Sequence, residues 1–159
     1  MKRDNLDNID IKILSLLQEN GRITNVDLAD KVDLSAPPCL RRVRSLEKNG
    51  FIKGYHADLQ PEKLGFEVTV FAMVGLHNQA EQDLKSFEAR VLSLPYVREC
   101  HMLNGEIDFI LKCVAPDLST FQIFLTKELT SAPNVASVKT SLTIRQSKQM
   151  PGIPIDLMD

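Results

Sequence analysis

Long apolar runs are missing from this chain of 159 residues. None reaches the roughly 18 residues that a membrane helix needs, and the N-terminus MKRDNLDNID holds no apolar signal segment. The expectation is a protein that neither spans a membrane nor is exported, and so stays cytoplasmic. Cysteine is scarce as well: Cys39, Cys100 and Cys113 are odd in number and share no C-x-x-C spacing. That excludes a disulfide scaffold and a zinc site built on paired thiolates, and leaves reduced structural thiols. Cys100-His101 near Asp108 does not make a metal site either, because neighbours on a strand point to opposite faces. Also missing are a Ser-His-Asp or Cys-His constellation and a phosphate-binding loop. The sequence therefore assigns no catalytic residue, no metal and no cofactor.

What is present is the composition of a soluble globular protein, 43% hydrophobic and 25% charged, enough for one ordinary domain or two small ones. The formal net charge of −2 conceals an uneven distribution. Residues 36–53 carry five basic side chains against one acid, while residues 61–159 carry nine against twelve. Phosphate binding is thereby confined to the N-terminal part, with strong salt dependence expected.

That basic cluster lies on a recognisable pattern. TNVDLADKVDLSAPPCLRRVRSLEK, residues 24–48, reads as two short helices joined by a tight turn at Asp33-Leu34-Ser35. Thr24 with Asp27 is a capping-box pair, and Val26, Leu28, Ala29 and Val32 give the first helix an apolar stripe. In the second, Leu40, Val43 and Leu46 share one arc and Arg41, Arg44, Ser45 and Lys48 the opposite one, until Gly50 supplies a stop. Pro37 and Pro38 fit a first helical turn and remove two donors that Ser35 would cap, which frees its hydroxyl for a phosphate or base edge. A preceding helix from about Asp7 to Asn20 completes a trihelical helix-turn-helix over residues 1–50 whose last helix suits the major groove of double-stranded DNA. The residues assigned to that contact are Thr24, Ser35, Pro37, Cys39, Arg41, Arg42, Arg44 and Lys48.

Residues 51–65 then supply a short strand, Phe51–Leu59, and a linker. From residue 66 to 150 the pattern is strand, helix, strand, strand, helix, strand: Val68–Leu76, Gln79–Leu94, Val97–Leu103, Glu106–Ala115, Asp117–Ala132 and about Val135–Gln146. Asn104-Gly105 marks a two-residue hairpin turn between the second and third strands. This βαββαβ order is that of a ferredoxin-like sandwich, so the fold class is α+β, with a C-terminal tail over residues 151–159. The first and third strands are apolar on both faces, which calls for a partner over the sheet; a homodimer is the simplest one.

At this point the chain resembles the Lrp/AsnC (leucine-responsive, feast/famine) family of bacterial and archaeal regulators. The segments that carry the resemblance are LDNIDIKILSLLQENGRITNVDLADKV, LSAPPCLRRVRSLEKNGFIKGY and VRECHMLNGEIDFILKCVAPDLSTF, and it runs from about Leu6 to Met150. Ala36-Pro37-Pro38 stands where the family often has Pro-Thr-Pro, and Glu106 where a shorter Asp is common. The resemblance implies a winged helix-turn-helix followed by an effector and oligomerisation domain, dimers that assemble further to octamers, and DNA affinity that responds to a free amino acid. From spacing alone Gly105 is a turn glycine and Asp108 a strand-edge charge. The resemblance instead implies an effector loop at Asn104, Gly105, Glu106 and Asp108, with Met102, Leu118, Leu142 and Thr143 lining or tuning the response. Some sirohaem decarboxylases share the architecture and are the alternative reading. They need a tetrapyrrole pocket with basic and histidine side chains, whereas His56, His77 and His101 are scattered.

Overall fold

The computed structural model describes residues 6–157 and divides the chain into two compact units. One draws on the chain up to Asp58 and again from Lys148; the other is Leu59–Ser147. Of the connector read from sequence over residues 51–65, the part up to Asp58 groups with the first unit and the part from Leu59 with the second, while the C-terminal segment groups with the first unit.

In the first unit, α1 (Asn8–Glu19), α2 (Asn25–Lys31) and α3 (Ala36–Lys48) each begin at a polar cap. Asp7 and Asp10 form a complete capping box: the Asp10 N–H donates to Asp7 Oδ1 at 2.9 Å, and the Asp7 N–H to Asp10 Oδ2 at 3.3 Å. At Thr24 only half of the expected box forms. The Asp27 N–H donates to Thr24 Oγ1 at 3.1 Å, while the threonine hydroxyl donates to the Asp27 carboxylate at 2.6 Å. Gly50 ends α3 at φ 76°, with the Phe51 N–H on Leu46 O at 3.0 Å and the Gly50 N–H on Glu47 O at 3.0 Å. Those are the two bonds of a Schellman motif, which needs the left-handed residue that glycine supplies without strain.

Ile13, Leu28, Ala29, Val32, Cys39 and Leu46 form the core between the three helices. Cys39 is 0% exposed and belongs to this core, whereas Leu40, expected there, is 37% exposed. The buried arc of α3 is centred on Cys39, Val43 and Leu46, which a helix brings together at i, i+4 and i+7; Leu40 lies about 100° away from Cys39. Val26, read as part of the stripe of α2, is likewise exposed. The strand expected over residues 51–59 is not formed, because the alternating side chains there meet no neighbouring strand with which to build a ladder.

The second unit is a four-stranded antiparallel sheet in the order β2-β3-β1-β4, from β1 (Val68–Leu76), β2 (Val97–Met102), β3 (Phe109–Ala115) and β4 (Val135–Leu142). Helices α4 (Glu81–Leu92) and α5 (Leu118–Phe124) cover one face. Phe87, Val91, Phe121 and Phe124 pack there on alternate residues of the central strands: Val70, Ala72 and Val74 of β1, and Phe109, Leu111, Cys113 and Ala115 of β3. This is the expected ferredoxin-like sandwich. Burial pushes the Cys113 thiol up to about 12, so it behaves as an apolar core group.

Three local expectations change. The helix expected over residues 117–132 splits into α5 and a π-helical turn at Leu125–Thr130, where the Thr130 hydroxyl donates to Leu125 O at 2.9 Å. The last strand stops at Leu142 rather than near Gln146. The Asn-Gly hairpin turn is also longer than two residues, since neither Asn104 nor Gly105 adopts the positive φ such a turn requires. Instead the Leu103 N–H donates to Asp108 O at 2.8 Å, and the segment between them loops out. Asp108 is held against the end of β1, its N–H on Val74 O at 3.0 Å and its Oδ2 accepting the Leu76 N–H at 2.6 Å. Those bonds fix the base of the hairpin beyond the reach of a tight turn.

Candidate nucleic-acid interface and ligand site

With Cys39, Val43 and Leu46 turned inward, α3 presents Pro37, Arg41, Arg44 and Lys48, at i, i+4, i+7 and i+11, on its exposed face. Among the described residues, Arg41, Arg44 and Lys48 make no ion pair, so three cations stand free on one stripe. Ser35 is the N-cap of α3 and makes no side-chain capping bond, because Pro37 and Pro38 offer no N–H. Its hydroxyl is therefore left at the end of the cationic stripe. Asn25, which sequence reading passed over, sets that end in place. Its Nδ2 donates to Ala36 O at 2.9 Å and ties the start of α2 to the start of α3.

Arg42 is elsewhere. Its Nη1 donates to Asp7 Oδ2 at 2.8 Å and Asp10 Oδ1 at 2.7 Å, which clamps α3 to the first turn of α1. Hydrogen bonds to Asp10 and then Asp7 raise the guanidinium above its usual value. The Asp10 backbone N–H, with Arg42 assisting, holds the Asp7 carboxyl below the usual carboxylate range. Arg42 is thus a structural residue and not a member of the presented stripe. Buried Cys39 is excluded from that surface for the same geometric reason. Thr24 is exposed to the extent its capping role allows, with its hydroxyl committed to Asp27.

The residues assigned to a ligand fall into two groups within the sheet unit. Met102, Asn104, Gly105, Glu106 and Asp108 gather at the β2–β3 loop, where Asp108 meets Leu76 at the end of β1. Leu118, Leu142 and Thr143 lie toward the opposite end: Leu142 pairs with Val70, the Thr143 N–H donates to Thr69 O at 2.8 Å, and Leu118 follows Ala115, the partner of Val68. Seven residue steps of β1 separate Thr69 from Leu76, roughly 24 Å of strand. One protomer therefore does not bring the two groups together. Each group is exposed, as Met102, Leu118 and Leu142 show with about half of their surface in solvent. Thr143 adds a buried Oγ1 that has no hydrogen-bond partner.

The sheet face away from α4 and α5 carries Phe71 and Met73 from β1 and Ile110 and Val114 from β3, flanked by polar groups of the edge strands. Lys112 donates to Glu99 Oε1 at 2.8 Å across β2–β3 and holds the Glu99 carboxyl low, with His101 Nε2 3.4 Å from the other oxygen. Lys112, on central β3 opposite Phe71, thus interrupts a face that the central strands had suggested to be uniformly apolar.

Comparison with known proteins bears on both units. Residues 6–53 match a winged helix-turn-helix DNA-binding domain, and residues 69–153 match the Lrp/AsnC ligand-binding domain. The leucine-responsive regulatory protein of Rhizobium meliloti is 56% identical over 92% of this chain and 94% of its own length. The Bkd operon transcriptional regulator of Pseudomonas aeruginosa is 43% identical over 88% and 92%. Among solved structures, a transcriptional regulator of Neisseria meningitidis in complex with L-methionine superposes with a TM-score of 0.91 at 36% identity, covering 97% of this chain and 99% of that one. No helix among the described residues is long and apolar enough to cross a membrane. The trihelical unit with its free cations is a DNA-binding domain, the sheet unit a ligand-binding domain, and the chain belongs to the Lrp/AsnC family of transcriptional regulators.

Proposed function

We propose that this chain is a cytoplasmic regulator that grips operator DNA through Arg41, Arg44, Lys48 and Ser35 and adjusts its assembly and DNA affinity to a free amino acid. The regulator of N. meningitidis solved with L-methionine, and the leucine-responsive relatives, support an amino acid as the ligand class. Backbone N–H groups of the Asn104–Glu106 loop suit an α-carboxylate, and the second carboxylate oxygen of Asp108, left over from its bond to Leu76, suits an α-ammonium.

The observation that carries the reading is the separation of the two ligand groups along β1. A site that uses both needs loop residues from one protomer and Leu118, Leu142 and Thr143 from another. Ligand binding and assembly are then one event, which gives an amino acid a route to DNA affinity. The apolar centre around Phe71 and Ile110 supports a homodimer formed sheet to sheet, and the divided ligand site supports higher assembly, to an octamer by family resemblance. The test is sedimentation of the full chain with and without L-leucine or L-methionine. The expected result is a ligand-dependent change in the distribution of assemblies; a monomer at micromolar concentration in every condition would contradict it.

A further inference from the structure

DNA contact and ligand contact leave the C-terminal segment unused, yet it is built into the DNA-binding unit. Gln18, in the last turn of α1, faces it with both ends of its amide. Nε2 donates to Ile153 O at 2.7 Å, and Oε1 accepts the Ile153 N–H at 2.9 Å. One side chain thus satisfies both backbone groups of one residue, as a neighbouring strand would. Gly152, immediately before, sits at φ 65°, and a Cβ there would collide with the Gln18 amide. Two residues after the fork, Ile155 is 5% exposed and opens a 3₁₀ turn, Ile155–Leu157, that packs on α1. At the near end, Gln149 Nε2 donates to Asp58 Oδ2 at 3.2 Å. The point where the chain returns to the DNA-binding unit is thereby joined to the point where it left.

From this we infer that residues 149–157 are a strap, docked on α1, that couples the ligand-binding unit to the DNA-binding unit. The inference rests on the amino-acid reading above. With one connection, the ligand-binding unit would be free to change state without constraint on its neighbour. With a second, anchored connection the unit is a closed loop of chain, and its rearrangements are transmitted at both crossings. The second crossing is also short. Leu142, at the proposed ligand site, is six residue steps from Lys148, at most about 20 Å of extended chain. A shift of β4 on ligand binding therefore pulls directly on the strap.

The test uses the full-length chain with Gln18→Ala, Gly152→Val and Ile155→Asp. None of these residues lies on α3 or on the 103–108 loop, and Gln18→Ala removes the fork without adding bulk. Strap release is read by tryptic cleavage at Lys148, amino-acid binding by calorimetry with L-leucine and L-methionine, and DNA binding by titration with and without the amino acid. We expect faster cleavage, amino-acid affinity and ligand-free DNA affinity each within about threefold of wild type, and at least a fivefold loss of the amino acid's effect on DNA binding. An undocked strap with the full amino-acid effect retained would overturn the inference, as would unchanged cleavage in all three variants. Wild-type protein that binds neither amino acid would overturn the ligand reading itself, and the strap's coupling role with it.

Discussion

Arg41, Arg42 and Arg44 look alike in sequence and differ in what they touch. Arg41 and Arg44 stand free on the exposed face of α3, while Arg42 is spent on Asp7 and Asp10. Replacing Arg41 or Arg44 by Ala should weaken specific DNA binding by about 1 to 3 kcal/mol at unchanged melting temperature, measured by titration with selected and random duplexes. Arg42→Ala should instead lower stability by about 1 kcal/mol, a modest figure because the Asp7 carboxylate and the guanidinium both keep contact with solvent, although the Asp10 side chain is largely buried. It should also change the acid response. The Asp7 carboxyl is depressed in the folded state, so its contribution is fully present above the ordinary value of 3.8 and lost as pH falls through the lower folded value. Melts taken between neutral and strongly acidic pH should therefore converge for wild type and Arg42→Ala at the acid end. Asp108 has two roles to separate, since Leu76 occupies one of its oxygens. Asp108→Asn keeps an acceptor for that N–H and removes the charge. It should retain stability while amino-acid affinity in calorimetry falls at least roughly tenfold; unchanged affinity would refute the ammonium contact.

The elements were most legible in sequence where one local signal dominates. β1 runs over Val68–Leu76 as read, because nine consecutive small or apolar residues suit a central strand that is buried on one face and partly exposed on the other. The stops and caps at Asp7, Thr24, Gly50 and Asp117 are equally local. Gly50→Ala should cost about 1 kcal/mol in thermal melts, because φ 76° is unfavourable for any residue with a Cβ. What sequence missed depends on neighbours. Periodicity placed Leu40 rather than Cys39 in the core, since a cysteine carries little hydrophobic signal although it packs as a small apolar residue. The strand over residues 51–59 had the right alternation and no partner. Asn104-Gly105 had turn chemistry, overridden by the Asp108 bonds to Val74 and Leu76, which lie 32 or more residues back along the chain. The strap was invisible for the same reason: Gln18 and Ile153 are 135 residues apart.

At the level of the assembled chain, the proposed ligand site, divided between two groups, and the apolar outward face of the sheet are the two features behind the proposal of a second copy. Ile110→Asp or Phe71→Asp would place a carboxylate in the apolar centre of that face, where a dimer would desolvate it. Either should shift the protein toward monomer in sedimentation while circular dichroism stays unchanged, because both side chains point away from the core that α4 and α5 cover. Loss of assembly should carry loss of the amino-acid response with it. The most direct test of the whole reading is a single titration: a duplex selected from random sequence, bound by the full chain at fixed ionic strength, with L-leucine, L-methionine or neither present. A change in apparent affinity of several-fold with at least one amino acid, abolished in Asp108→Asn and preserved in Arg42→Ala, is the predicted result. Identical binding curves in all three conditions would contradict it.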